Sequence, residues 1–381
     1  MPIVKTLFKA TKLEKEKFTI PKSVQDAIPI QRIWQDGIFQ IGSRFSKTFS
    51  FTDINYSIAG KEDKTAMFLD YSEFLNALDS GASAKITINN RRINKAEFES
   101  SLLLPMKEDG LDHFRKEYNE MLLSKVSGTN NSVVQDRYIT VTVAKRNIDE
   151  ARTYFSRVGT DLITHLSQLS SIGRELDAEA RLRVFRDFFK ADEPAAFPFN
   201  LKEQMKKGHS FKDWLCPDSM EFQKDHFRLN DRWGRVLYLQ GYASYIKDSM
   251  IAELCDMDRS LMLSIDILPV PTDEAVREIQ NKLLGVETNA ANWQRKQNAA
   301  KNFSAVLPYD MEQQRKETTE MLEDLTNRDQ RMMYGLVTLV HLADTREQLD
   351  SDTETILTTA RKHLCQMSVL RWQQKDGLDT V

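Results

Sequence analysis

The segment from Arg331 to Trp372 constrains the fold most, because it has the pattern of a strand, a helix and a second strand in direct succession. Met332 to Ala343 is apolar at both alternating sets of positions, which predicts a strand covered on both faces. Asp344 with Glu347 three residues later predicts a capping box, and Leu364 to Trp372 predicts the returning strand. The helix between them has five core-facing positions at helical spacing: Leu349, Thr353, Ile356, Leu357 and Ala360.

Strands and helices alternate along the chain, and hairpin connections are mixed with crossover connections. This mixture predicts an α+β fold of two lobes, each a mixed sheet with crossing helices, rather than one doubly wound sheet. The first α+β lobe is expected over residues 23–190 and the second over 233–381, with a proline-containing junction at 191–232. The second lobe has four predicted strands with helices crossing between them, which is the ferredoxin-like pattern.

A basic arm, residues 1–22, precedes both lobes and carries six lysines against Glu14 and Glu16. It is either a solvated terminus or an arm that touches an anionic membrane surface, so peripheral membrane association is an open alternative. No signal peptide opens the chain, and the longest apolar run, Met332 to Leu342, is far shorter than the ~20 residues that span a bilayer. These features predict a protein of the cytoplasm or of the cytoplasmic face of a membrane.

The composition is that of a globular protein with two or three domains, since the chain has 381 residues and 41% of them are hydrophobic. The net charge of −3 gives no general attraction to nucleic acid, so direct nucleic-acid binding is not expected. Cys216, Cys255 and Cys365 are widely spaced and form no CxxC pair, which favours a reducing compartment without disulfides.

A phosphate-binding loop requires the pattern GxxxxGK[ST], which supplies flexible backbone, a lysine and a hydroxyl group. The only Gly-Lys pair is Gly60–Lys61, where Asn55 replaces the first glycine and Glu62 the hydroxyl residue. Asp266 ends an apolar run in the manner of a magnesium-binding carboxylate. Without a phosphate loop beside it, we interpret Asp266 as a polar residue of a strand.

The remaining polar clusters predict no catalytic, cofactor or metal site. His209, Cys216 and His226 lie in one segment and His341, His363 and Cys365 in another, and neither set has the paired spacing of a structural zinc site. Glu253, Asp256 and Asp258 form an acidic cluster that we interpret as a solvated turn. The chain also contains no GxSxG nucleophile motif and no aromatic RNA-binding signature on its strands.

Three long blocks, 36–80, 264–317 and 325–366, carry a family resemblance that covers nearly the whole chain. The first begins DGIFQIGSRF, the second SIDILPVPTD and the third LTNRDQRMMY. They resemble the conjugative-transfer ATPases of type IV secretion systems, the CagE/TrbE/VirB group, and most of all the TraE-like branch found on Gram-positive mobile elements.

The resemblance implies a domain that lacks its motor, because the nucleotide-binding loop and magnesium carboxylates of that family lie beyond the equivalent of Val381. No catalytic or cofactor residue is therefore carried over, and ATP and Mg²⁺ are expected only for the missing C-terminal domain. The intact family protein hydrolyses ATP. By resemblance, this N-terminal domain docks the ATPase to inner-membrane channel proteins and to other copies of the ATPase.

The surface expected to make such contacts contains Trp293, Arg295 and Lys296, since one aromatic residue and two cations in a polar stretch suit an interface hot spot. An exposed linker is the alternative for this stretch. For the whole chain, the alternatives are an inert fragment of a working enzyme and a stand-alone regulatory or structural paralogue that binds the ATPase or the channel without ATP chemistry.

Overall fold

The computed structural model describes residues 21–54, 56, 58–92, 103–128, 133–190, 199–243, 246, 249–302, 306–328 and 330–381. The predicted basic arm, 1–22, lies almost wholly outside these ranges. The helices are α1 (Val24–Ala27), α2 (Lys61–Asn76), α3 (Asp112–Gly128), α4 (Ile148–Gln168), α5 (Ala178–Phe189), α6 (Leu201–Lys207), α7 (Lys212–Leu215), α8 (Ser249–Cys255), α9 (Thr272–Ala299), α10 (Tyr309–Asn327), α11 (Arg346–Lys362) and α12 (Gln374–Thr380).

The strands are β1 (Arg32–Ile33), β2 (Phe39–Ile41), β3 (Arg44–Phe51), β4 (Ala82–Arg92), β5 (Val133–Ala144), β6 (Gly173–Glu175), β7 (Met220–Phe222), β8 (Phe227–Leu229), β9 (Arg232–Gly241), β10 (Leu261–Pro269), β11 (Met333–Ala343) and β12 (Gln366–Val369). They form one sheet in the order β1-β2-β3-β5-β4-β10-β11-β9-β8-β7, with β6 on β3 and β12 on β9. The predicted α+β class is confirmed, and each pairing between described strands is antiparallel.

The sheet consists of two units with the same strand order. In the second unit β12, β9, β11 and β10 are neighbours in that order, which is the ferredoxin-like arrangement expected for this half. In the first unit β6, β3, β5 and β4 repeat it. The units join edge to edge through β4 and β10, where Ala84 pairs with Ile267 and Asn90 with Leu261. Each predicted lobe therefore contains one unit, and the precise domain boundaries stay a prediction.

One face of this sheet is covered by a helix layer in each unit. In the first, Phe155 and Leu162 of α4 pack on Phe49 of β3, and all three side chains are at most 1% exposed. In the second, α8 and α11 pack on β9, β10 and β11 through Leu254, Ile356 and Leu263, together with their neighbours. The opposite face is covered in part by α5 and α12, whose Phe188 and Leu378 contact Val236 and Val340.

The C-terminal strand–helix–strand unit is present, but its helix begins differently from the prediction. The side chain that caps α11 is Thr345, whose hydroxyl accepts a hydrogen bond from the backbone N–H of Gln348 at 3.2 Å. Asp344 precedes the cap, so the predicted capping box with Glu347 is wrong by one residue. Both β11 and β12 pair with β9, which lies between them.

The junction 191–232 contains short elements where it is described, namely α6, α7 and the β7–β8 hairpin that leads into β9. Leu201 and Leu215 of these helices pack with Phe39 and Leu182 in a cluster beside the first unit. Within the described ranges, no helix is both long enough and apolar enough to cross a membrane.

Candidate docking surface on the helical hairpin

The connection between β10 and β11 is a long helical hairpin, formed by α9 and α10. Pro271 and Pro308 precede the two helices, and acidic residues occupy both first turns, where they favour the positive end of the helix dipole. At about 1.5 Å per residue, the 28 residues of α9 extend roughly 42 Å. β10, the strand that leads into this helix, has nine residues and extends only about 30 Å, so α9 is longer than the strand that precedes it.

Among the described residues, apolar side chains at the base of the hairpin pack against the ends of β10 and β11. Ala275 and Ile279 of α9 pack with Leu325 of α10 and with Tyr334 of β11. The Tyr334 hydroxyl donates to the Glu278 carboxylate at 2.7 Å, and burial beside this carboxylate raises the pKa of Tyr334 to about 12. The base is therefore fixed to the sheet by both apolar packing and a charge-assisted hydrogen bond.

Beyond the base, α9 has one narrow buried seam. Its half-buried positions after Ile279 alternate at spacings of four and three residues, which is the pattern of a two-helix coiled coil. They are Leu283, Val286, Ala290, Trp293 and Gln297. Glu287 of α9 and Arg315 of α10 form an ion pair of 3.6 Å across the two helices. The outer hairpin is thus held together along a single line of contact, and the rest of its perimeter is exposed.

The three predicted interface residues lie near the tip of this hairpin. Trp293 is half-buried in the seam, whereas Arg295 and Lys296 are exposed. The polar stretch that begins at Asn289 is helical through Ala299, and the choice between an interface and an exposed linker stays a prediction. The structure therefore presents the two exposed cations on the same helix as the half-buried indole.

Charge and apolar exposure are unevenly distributed along the hairpin. Between Glu287 and Asp310 the sequence contains three cations, Arg295, Lys296 and Lys301, and no acidic residue. In contrast, α10 contains six acidic residues against two basic ones. Large apolar side chains are also exposed, with Val306 at 81%, Tyr309 at 77% and Leu284 at 65%. A basic tip flanked by exposed apolar side chains is a combination that suits protein contacts.

The other sequence clusters do not converge on a catalytic arrangement. Asp266 pairs with Lys85 of the neighbouring strand, as its interpretation as a strand residue implied. His226 contacts Asp225, and His363 lies 3.2 Å from Glu253. In the part of the chain that the structure describes, no group of three or more His, Cys, Asp or Glu side chains could hold a metal ion.

The three cysteines are free, buried thiols. Burial raises the pKa of Cys216 to about 11 and that of Cys255 to about 12, so both are protonated at neutral pH. Cys255 and Cys365 belong to the core of the second unit. Protonated core thiols are poor nucleophiles, which agrees with their sequence interpretation as small buried residues.

Comparisons with known proteins give no independent identification: no family model matches the chain, and neither does any curated protein. The kinship with type IV secretion ATPases therefore stays a prediction from the three sequence blocks.

Proposed function

We propose that this chain is a docking and assembly domain of a type IV secretion ATPase, of the kind that energises conjugative DNA transfer. It binds inner-membrane channel proteins at the cytoplasmic face of the bacterial cell membrane. It also contacts other copies of the ATPase, and it performs no ATP chemistry of its own. The family resemblance supports the assignment to a type IV secretion system. The lack of ATP chemistry is supported by the sequence, which contains no GxxxxGK[ST] loop.

The observation that carries the docking role is the helical hairpin. Its base is fixed to the sheet by Ile279, Leu325 and Tyr334, and the described residues of its outer part pack along the seam from Leu283 to Gln297. A long hairpin with a narrow seam stabilises the core little for its length, because most of its surface remains in water. Its exposed cations and apolar side chains suit recognition of an acidic segment on a channel protein.

The test is co-purification of the channel proteins from detergent-solubilised membranes of cells that carry the secretion system. The variant Arg295→Glu/Lys296→Glu reverses the charge of the tip, and we expect it to weaken binding at least tenfold, about 1.4 kcal/mol. The matched control is Arg277→Glu/Lys282→Glu, which makes the same charge change near the base of α9 and is expected to bind as the wild type does. Equal binding by both variants would refute the assignment of the tip.

Trp293→Ala tests the aromatic residue separately. Because Trp293 lies in the seam, its removal is expected to loosen the tip as well as to remove an anchor. Trp293→Phe retains an aromatic ring in the seam and is expected to recover most of the binding. Circular dichroism of each variant shows whether the helices are intact, so that a lost contact and a lost hairpin can be told apart.

A further inference from the structure

A cavity of about 320 Å³ lies on the face of the first unit's sheet that α4 does not cover. Its floor consists of three directly paired sets of hydroxyl-bearing residues, namely Ser46 with Thr142, Thr48 with Thr140, and Thr87 with Tyr138. Its other walls include apolar side chains of α5 and of the segment before β1, which are Val184, Phe185, Phe189, Ile28 and Ile30. A volume of this size lies within the usual range of small-molecule sites, about 300–1,000 Å³.

The period of a strand explains why the hydroxyl groups share one face. In β5, Thr140 and Thr142 alternate with apolar residues that pack against α4 on the other face. Thr48 and Thr140 satisfy each other through a hydroxyl–hydroxyl hydrogen bond of 2.9 Å. This pair needs no ligand, so the floor alone does not identify what the cavity binds.

Arg181 of α5 also lines the cavity, and it is 5% exposed. Its Nη1 donates to the carbonyls of Gly37 and Ser46, both at 2.7 Å, and its Nη2 donates to the Ser46 hydroxyl at 3.0 Å. The guanidinium group lies over the ring of Phe39, 4.0 Å from the ring centroid. Among the described residues no carboxylate pairs with Arg181, although a buried charge is costly unless it is paired.

These hydrogen bonds leave one edge of the Arg181 guanidinium free. Ser46 accepts along the edge between Nη1 and Nη2, and Gly37 accepts the other Nη1 proton. The Nε–H and the second Nη2–H remain side by side, with no acceptor among the described residues. Nε is not one of the fully enclosed unpaired atoms of the described part of the chain, so a ligand in the cavity can reach this edge. Two parallel N–H donors match the two oxygens of a carboxylate.

Two of the other charged side chains in the lining are already paired. The ammonium group of Lys85 lies 3.6 Å from the carboxylate of Asp266 on β10. The carboxylate of Asp379 on α12 lies 2.7 Å from the ammonium group of Lys375. These pairs are neutral overall, so they add no net charge to the cavity.

The unmatched charges of the lining are both positive. Arg44 of β3 is exposed at the cavity and forms no ion pair with the described residues. Burial alone lowers the pKa of Arg181 to about 9, so its guanidinium remains charged at neutral pH. An anion is therefore the ligand that balances this cavity, and the apolar walls favour an anion with an apolar body.

We propose that this cavity binds a monocarboxylate with a linear apolar stem, such as a medium-chain fatty acid. The carboxylate accepts from the free edge of Arg181, and Arg44 adds positive charge at the exposed rim. The stem lies against the apolar walls, which continue to Leu378 of α12. The proposal does not depend on the docking function of the hairpin, which belongs to the other unit, and failure of one leaves the other standing.

The test is calorimetric titration of the whole chain with sodium octanoate, alongside sodium butyrate, octan-1-ol and octylammonium chloride. We expect saturable binding of octanoate and weaker binding of butyrate, which buries less apolar surface. The alcohol should also bind more weakly, and the ammonium compound should show no saturable binding. Arg181→Lys keeps the charge but loses the planar pair of donors, and we expect it to weaken octanoate binding about tenfold.

Further variants keep the test decisive if Arg181→Lys does not fold, which thermal unfolding shows. Thr142→Phe places a ring in the cavity at a strand position that suits aromatic residues, and we expect it to abolish octanoate binding while the fold persists. Arg44→Gln should weaken binding about two- to fivefold, the size of an exposed ion-pair effect. Arg174→Gln, the same change at an exposed position of β6 outside the lining, is the matched control and should leave affinity unchanged.

Four results would overturn the proposal. They are no saturable binding of octanoate to the wild type, binding of octan-1-ol as tight as that of octanoate, equal affinities of Arg44→Gln and Arg174→Gln, and unchanged affinity of a folded Arg181→Lys or Thr142→Phe variant.

Discussion

The ammonium group of Lys85 on β4 lies 3.6 Å from the carboxylate of Asp266 on β10, and the two residues are directly paired where the two units of the sheet join. Both side chains are half-buried, with 23% of Lys85 and 19% of Asp266 exposed. Burial lowers the pKa of Lys85 and raises the pKa of Asp266, while the attraction between them opposes both shifts. This pair places matched charges at the junction of two units that the sequence presented as separate lobes.

Removing one partner should destabilise the junction. Lys85→Met leaves Asp266 buried without its cation, and we expect it to lower the free energy of unfolding by about 1–3 kcal/mol. The double variant Lys85→Met/Asp266→Leu removes both charges and should recover part of the loss. Urea unfolding of the wild type, Lys85→Met, Asp266→Leu and the double variant measures the coupling energy between the two residues. If the effects of the two single changes on the free energy of unfolding were additive, the pair would not be coupled.

Gly37 and Gly42 both have positive φ angles, 78° and 58°, but differ in the space around them. A Cβ atom at Gly37 would overlap the carbonyl oxygen of Leu176, whereas at Gly42 it would meet nothing within 4 Å. Gly42→Ala should lower the free energy of unfolding by about 1–2 kcal/mol, because alanine is strained in the left-handed conformation. Gly37→Ala should lower it clearly more, because its methyl group also meets the Leu176 carbonyl oxygen. Thermal unfolding of both variants compares the two losses, and equal losses would show that the approach of Leu176 is unimportant.

Stability should fall on mild acidification because of His341. Its pKa lies near 3 in the folded chain and near 6.5 when unfolded, owing to burial first and to Arg235 second, with Asp350 acting in the opposite direction. Between these values the unfolded state binds the extra proton, so stability is complete above pH 6.5 and decreases as the pH falls towards 3. The slope is at most about 1.4 kcal/mol per pH unit.

The Thr353 hydroxyl lies 3.0 Å from Nε2 of His341 and donates its own proton to the Leu349 carbonyl. His341→Gln identifies the source of this slope, because glutamine can donate to that hydroxyl and does not titrate. We expect the variant to show a flatter dependence of unfolding free energy on pH across the upper part of this window, above the range in which carboxylates titrate. An unchanged slope would show that the imidazole is not the responsible group.

The cap of α11 gives a local test. Thr345→Ala removes the acceptor for the N–H of Gln348, and we expect a loss of about 0.5–2 kcal/mol. Thr345→Ser retains the hydroxyl group and should restore most of that stability. Urea unfolding of both variants beside the wild type measures the difference. If serine were no better than alanine, the hydroxyl would not be the cap.

The sequence predicted local features well and long-range ones poorly. The apolar run from Met332 to Ala343 identified β11, and α11 lies where the helical spacing from Leu349 to Ala360 predicted it. The β4–β10 pairing was missed because Lys85 and Asp266 are 181 residues apart in sequence, and alternation within a strand does not specify its neighbour. Periodicity alone cannot make this choice.

The candidate sites show the same limit. Residue type identified Trp293, Arg295 and Lys296 as candidates. Their place near the tip of a helical hairpin depends on the seam from Leu283 to Gln297. The sequence did not predict this seam, because its second half is mostly polar. The sequence also showed no sign of the cavity of about 240 Å³ that His341 and Asp352 line. No spacing in the sequence indicates that a histidine on β11 and an aspartate on α11 lie beside the same acidic turn.

The most direct test of the docking proposal is photo-crosslinking from the hairpin tip in cells that carry the secretion system. A photoreactive amino acid replaces Gln294, which is exposed beside Trp293, and a control replaces Lys202, which is exposed on α6. We predict crosslinks from position 294 to inner-membrane channel proteins and none to those proteins from position 202. Absence of channel crosslinks from position 294, or equal crosslinks from both positions, would contradict the docking role of this hairpin.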